Sequence, residues 1–231
     1  MAWRSSGLTN AELVANLARN GVYNSERVKA AMLKVDRANY VRNREDAYDD
    51  CPQLIGHGQT ISAPHMHAHA AQHLLTYLQP GCKVLDVGSG SGYLASVFHH
   101  LVSDEEGGLR GKVVGIEHIP QLVQWSRDNV RRDGLGKALD NGEIELIEGD
   151  GRLGYPEGGP YDAIHVGAAA PKLPKALVDQ LASPGRMFIP IGKYSQVVTL
   201  VDKDVEGRVT VEDLFGVMYV PLTDRPTGHG K

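Results

Sequence analysis

At 231 residues, 42% hydrophobic and 23% charged, the chain has an ordinary globular composition and enough length for one substantial core. A formal charge of −4, with no Lys/Arg run, excludes a nucleic-acid grip built on a broad basic field, and no apolar run approaches the roughly 18 residues of a membrane span. Two cysteines, Cys51 and Cys82, exclude a disulfide framework and a cysteine-based zinc spacing.

The first eighty residues read as a helical extension. Thr9 and Glu12 form a capping-box pattern, with Leu8 and Leu13 placed to close a hydrophobic staple. Leu13 and Leu17 continue an apolar stripe to the stop at Asn20-Gly21. A second helix starts at Ser25 and turns Val28, Met32 and Val35 inward. After a loop around Asp49-Asp50-Cys51-Pro52, Pro64 opens a third helix running to about Leu78, because its missing N–H costs nothing in a first turn.

From Gly81 short apolar runs alternate with amphipathic helices. Lys83 to Val87, Val113 to Ile116, Ile144 to Ile147, Ala163 to Val166 and Met187 to Ile189 read as strands. Between them lie helical faces: Leu94, Val97, Phe98 and Leu101; then Leu122, Val123, Ser126 and Val130 after Pro120; then Leu173, Leu177, Val178 and Leu181. Such alternation implies an α/β protein with a mainly parallel, doubly wound sheet. The tail differs: Val197 to Val201, a Glu206-Gly207 turn and Val209 to Tyr219 form a strand pair without a helix, so the sheet ends antiparallel. We read one domain: residues 1–80 as the helical and substrate region, 81–195 as the α/β core, and 196–231 as C-terminal strands and tail.

Asp86-Val87-Gly88-Ser89-Gly90-Ser91-Gly92 joins the first strand of the alternating region to its helix. In open α/β sheets ligands bind at the carboxyl ends of the strands. A dinucleotide fingerprint needs Gly-x-Gly-x-x-Gly, but here the third glycine arrives one residue early and Tyr93 follows it. Asp86 disfavours an anionic pyrophosphate and favours a cationic ligand. S-adenosylmethionine, with its sulfonium and ammonium, fits both the spacing and the charge. Glu117 ends the second strand, where a carboxylate can accept both ribose hydroxyls, and Asp150 follows the third, where it can accept from the adenine amino group.

The motif from Val84 to Gly92 resembles the first motif of class I methyltransferases, and Leu181 to Met187 resembles their late helix-to-strand motif, which implies a Rossmann-like fold. More narrowly, the chain resembles the protein-L-isoaspartate (D-aspartate) O-methyltransferases. The resemblance rests on Ile55-Gly56-His57-Gly58-Gln59-Thr60-Ile61-Ser62-Ala63-Pro64-His65-Met66-His67-Ala68, on Glu148 to Gly151, on Tyr161 to Ala169 and on Tyr219 to Asp224. Glu117 departs from the Asp common in close relatives, and the tail after Asp224 is short. The resemblance implies methyl transfer to the free α-carboxylate of L-isoaspartyl residues, more slowly to D-aspartyl residues, by a monomeric cytosolic enzyme. The opening residues, which lack an apolar signal region, agree with that compartment. It further implies cofactor contacts from Ile61, Ser62, Ala63, Pro64, His67, Gly88, Ser89, Gly90, His118, Gly151 and Thr223, beside the three acids.

An isoaspartyl carboxylate is ionised at neutral pH, its reference pKa lying near 3.5, so no general base is required. A neutral hydroxyl suits the acceptor better than an arginine, which would hold the carboxylate too strongly. Ser62, at or beside the start of the Pro64 helix, is the expected catalytic residue, with the free N–H groups of that helix helping to attract the carboxylate. His65, His69 and His73 share a helix face, but a sulfonium donor needs no metal and no acidic or thiol ligand accompanies them, so no metal is expected. His67 is a candidate for the substrate cleft. A methyltransferase for a nucleobase or amine is disfavoured, because the run after the fourth strand reads Gly167-Ala168-Ala169-Ala170-Pro171 rather than Asn/Asp-Pro-Pro-aromatic. Other carboxylate or hydroxyl acceptors, and a non-catalytic cofactor-binding scaffold, stand as alternatives.

Overall fold

The computed structural model describes residues 5–104 and 108–222. Thr223 and the tail that follows it lie outside these residues. Two helices lead the fold, α1 (Asn10–Arg19) and α2 (Glu26–Lys34). Thr9 caps α1 by accepting from the Glu12 N–H, and Ser25 caps α2 by accepting from Arg27 and Val28. The expected staple does not form: Leu8 is 87% exposed. The Glu12 carboxylate instead reaches the Leu8 N–H at 2.7 Å, which closes the cap by a hydrogen bond.

The helical reading of the first eighty residues needs a second correction. Strands β1 (Gln53–Gly56) and β2 (Gln59–Ile61) form an antiparallel hairpin. Its turn residues, His57 and Gly58, have φ of 55° and 72°, the left-handed pair that matches hairpin twist. The Gly-His-Gly run was its signal. Helix α3 (Pro64–Leu74) follows, ending in a 3₁₀ turn over Leu75–Tyr77.

The main sheet contains β3 (Lys83–Val87), β4 (Lys112–Glu117), β5 (Ile144–Glu148), β6 (Tyr161–Val166), β7 (Leu181–Ile191), β8 (Gln196–Lys203) and β9 (Val209–Val217). Their order is β5-β4-β3-β6-β7-β8-β9. Pairs from β5 to β7 are parallel and the last two antiparallel, as the tail predicted. Helices α4 (Tyr93–Val102), α5 (Pro120–Arg132), α6 (Gly136–Asp140) and α7 (Lys175–Gln180) fill the crossovers. The short α6 had no sequence expectation. Helix α7 is shorter than its apolar spacing suggested: Leu173 precedes Pro174, which disfavours helical backbone there, and Leu181 already belongs to β7.

The parallel strands of the sheet are buried on both faces, and the period of two sorts their residues. Val84, Val113, Ala163 and Phe188 join the cluster packed with α1 to α5, whereas Leu85, Val114, Ile164, Met187 and Ile189 join a second cluster with Leu177 of α7. Strand order reverses between β3 and β6, so the crevice beyond their carboxyl ends is the binding position of this architecture. Among the described residues, no helix is long and apolar enough to cross a membrane.

Candidate active site

The glycine loop leaves β3 with three left-handed residues, Gly88, Gly90 and Gly92, at φ of 75°, 51° and 83°. Side chains are disfavoured in that region, and three such residues within five positions account for the run of glycines. The loop is tied to the next strand: Gly88 and Ser89 donate to the Ile116 carbonyl at 2.8 and 3.2 Å. Glu117 ends β4 with one oxygen accepting the Gly90 N–H at 3.2 Å and the other the Ile119 N–H at 3.0 Å. Each oxygen keeps acceptor capacity for a further donor. The hairpin packs over this loop, since a Cβ on Gly90 would stand 3.3 Å from Ile55 Cδ1.

A narrow cleft of about 40 Å³ lies above the loop, lined by Gly88, Gly90, Glu117, His118 and Gly151, with Thr60 from the hairpin. Pro221 and Leu222 lie along it, held by hydrogen bonds from Ala169 to the Val220 carbonyl and from Leu222 to the Ala169 carbonyl, both 2.8 Å. A second cavity of about 950 Å³ is lined by Ser62, Ala63, His65, Met66, His69 and residues 215–220. The two share Thr60, Gly167 and Val220, so they adjoin beside Ser62. This pairing of a glycine cradle and ribose-competent carboxylate with a roomier neighbour fits S-adenosylmethionine on one side and an acceptor on the other.

The acids are not equivalent. Asp86 is buried and its carboxylate meets His165 Nδ1 at 2.7 Å across the β3–β6 pair; it lines neither cavity. Asp150 is bonded by Arg152, which holds its carboxyl below the usual range, and only its neighbour Gly151 faces the cleft. His118 does line the cleft, with a buried Nε2 that has no partner among the described residues. Ile61, Pro64 and Ser89 sit behind the surface, as does His67, which is 7% exposed and packed on Tyr93. Burial, then the nearby Arg37, pulls the His67 imidazole well below its ordinary range, so it stands neutral.

Around Ser62 the structure supplies partners that spacing did not reveal. Ala63, not Ser62, caps α3, and it makes no side-chain cap bond. The free N–H groups expected there are taken: Pro64 has none, His65 donates to Asp50 Oδ1 at 2.9 Å, and Met66 and His67 turn back to the Ala63 carbonyl. The helix end therefore holds the protein's own carboxylate. The Ser62 carbonyl accepts from Arg37 Nη2 at 2.9 Å, and the phenol of Tyr219 lies beside the Ser62 side chain. Burial raises that phenol, keeping its O–H at neutral pH. Gln196 grips the Tyr219 backbone on both sides, accepting its N–H and donating to its carbonyl. Arg37 is itself buried, and burial lowers its guanidinium to about 10. His69 lies against Phe215 and His73 against Phe188. Among the described residues, no group of three or more His, Cys, Asp or Glu side chains is placed to hold a metal ion.

Residues 8–227 match the family model for protein-L-isoaspartate (D-aspartate) O-methyltransferase. The chain is similar to a protein-L-isoaspartate O-methyltransferase of Caenorhabditis elegans, 49% identical over 227 residues and 97% of each chain. It is also similar to protein-L-isoaspartate O-methyltransferase 1 of Arabidopsis thaliana, 46% identical over 96% of this chain and 95% of that one. A crystal structure of a protein-L-isoaspartate O-methyltransferase from Plasmodium falciparum, in complex with S-adenosyl-L-homocysteine, superposes with a TM-score of 0.86 at 37% identity, covering 94% of this chain and 99% of that one.

Proposed function

The chain belongs to the protein-L-isoaspartate (D-aspartate) O-methyltransferase family, and we propose that Ser62, Glu117 and the Gly88–Gly92 loop are the parts that carry its methyl transfer. The enzyme uses S-adenosylmethionine to methylate L-isoaspartyl residues in damaged proteins. The observation that carries the residue assignment is the junction of the two cavities beside Ser62. S-adenosylmethionine supplies a methyl group already activated on a positive sulfur. Glu117 would accept the ribose hydroxyls with the lone pairs its backbone bonds leave over. Asp86, fixed by His165, would attract the cationic end across the loop, and Asp150 would meet the adenine edge.

The acceptor carboxylate is ionised before it binds, so Ser62 has no proton to remove. Its hydroxyl would place one carboxylate oxygen without holding it as a charged donor would. The remaining contribution is alignment in a site screened from water. D-Aspartyl residues, whose carboxylate sits differently, would react more slowly. We further take the enzyme to be one catalytic domain acting as a cytosolic monomer on protein segments, with no metal, nucleic acid or membrane partner.

Paired peptides that differ only in isoaspartate against aspartate test this reading. A displacement near 1 Å costs about 100-fold, and moving the carboxylate by a methylene displaces it further. The aspartyl twin should therefore react at least about 100-fold more slowly, and Ser62→Ala should lower turnover of the isoaspartyl peptide while S-adenosylhomocysteine affinity holds. Equal rates on the twins would remove the isoaspartyl assignment.

A further inference from the structure

The acceptor side contains a carboxylate–imidazole pair that the mechanism above leaves unused. Asp50 has a side chain 0% exposed, and its Oδ1 accepts from two groups of one residue: the His65 backbone N–H at 2.9 Å and the His65 ring Nδ1 at 2.8 Å. A carboxylate only accepts, so Nδ1 carries the proton and the lone pair of a neutral ring lies on Nε2. Two bonds to one buried oxygen fix both the backbone and the ring. Asp50 Oδ2 is buried with no partner among the described residues, so these are the contacts through which the acid acts. The His65 ring is part-exposed and lines the large cavity three residues from Ser62. His69 and His73, on the same helix, rest on phenylalanines; His65 alone of the three has its tautomer set.

We propose that His65 Nε2 recognises the acceptor peptide by accepting a hydrogen bond from the backbone N–H of the isoaspartyl residue, with Asp50 as its positioning residue. The proposal rests on Ser62 being the carboxylate site. In an isoaspartyl residue the free carboxylate and the amide N–H are attached to the same carbon. A peptide with its carboxylate at Ser62 therefore carries a donor close by. The lone pair on Nε2 suits that N–H and repels a carboxylate, so the ring sorts the two groups and leaves the reacting oxygen to a neutral hydroxyl. Such a contact reads the main chain, whatever side chains flank the damaged residue.

The test measures kcat and KM for an isoaspartyl peptide and for the same peptide methylated on its isoaspartyl nitrogen, with wild-type enzyme and His65→Phe. In wild type, N-methylation should raise KM about tenfold, the scale of one neutral hydrogen bond, with little change in kcat. His65→Phe should raise KM for the parent peptide by a similar factor and lose the sensitivity to N-methylation. Asp50→Asn, which frees the tautomer, should move KM the same way while kcat and S-adenosylhomocysteine affinity hold. An equal N-methylation penalty in wild type and His65→Phe would overturn the proposal. So would an N-methylated peptide with unchanged KM in wild type, a result that needs no variant to fold. Failure of wild type to methylate the parent peptide would instead overturn the isoaspartyl reading beneath it.

Discussion

The proposed cofactor side and the proposed acceptor side of this site are built by different means. On the cofactor side, Gly88, Gly90, Glu117 and Gly151 stand at or just beyond the ends of successive parallel strands, and neighbouring backbone N–H groups fix them. On the acceptor side, Ser62 lies between a three-residue strand and a helix and is held from far along the chain. Arg37 grips its carbonyl, Tyr219 lies beside it, and Gln196 holds the Tyr219 backbone. Regular structure places the first group; a few long-range side-chain bonds place the second. Damage to the acceptor side should therefore spread further from the residue changed.

Arg37→Met should show that contrast most strongly. It removes a buried cation, leaving the Ser62 carbonyl without that donor and Asp50 without its neighbouring positive charge. The expected loss is about 3 kcal/mol, or a fall in Tm of about 6–12 °C for a chain of this size, with a raised KM for the isoaspartyl peptide. Calorimetry and kinetics on the variant would check both; an unchanged Tm would contradict the account of how Ser62 is held.

Glu117→Ala is the counterpart on the cofactor side. It should weaken S-adenosylhomocysteine binding by about 1.5–3 kcal/mol, while the strand-borne loop keeps its shape. Titration calorimetry with unaltered affinity would take Glu117 out of the site. Tyr219→Phe removes the phenol beside Ser62, and kcat/KM should fall about fivefold, close to 1 kcal/mol, at constant cofactor affinity. If affinity fell instead, Tyr219 would belong to the other side.

The smallest effect is one of pH. Burial, then His73 and His65, lowers the His69 imidazole to about 4, below its unfolded value near 6.5. The unfolded chain therefore binds the proton first, so this contribution to stability is complete above pH 6.5 and is lost as pH falls towards 4. His69→Phe should flatten that part of a Tm-against-pH curve, and an identical slope would show that other groups dominate it.

The same division explains what could be read before folding. Short apolar runs alternating with helical faces located the parallel strands, and the paired tail strands announced the antiparallel end. They missed the β1–β2 hairpin because its strands are too short to show a period, although Gly56-His57-Gly58 marked its turn. Leu173 and Leu181 misled because apolar spacing was weighed without Pro174.

The sequence by itself determined the bend of the glycine loop, since left-handed backbone at Gly88, Gly90 and Gly92 is a local demand, and it determined that Glu117 would end β4 and Asp150 follow β5. Only the tertiary structure decided what each acid was free to do. Asp86 is paired with a histidine 79 residues away, and the start of α3 is filled by Asp50 from the preceding loop. Hydrogen-bond partners depend on which segments the fold brings together, and residue spacing carries no information about a partner that arrives from elsewhere in the chain.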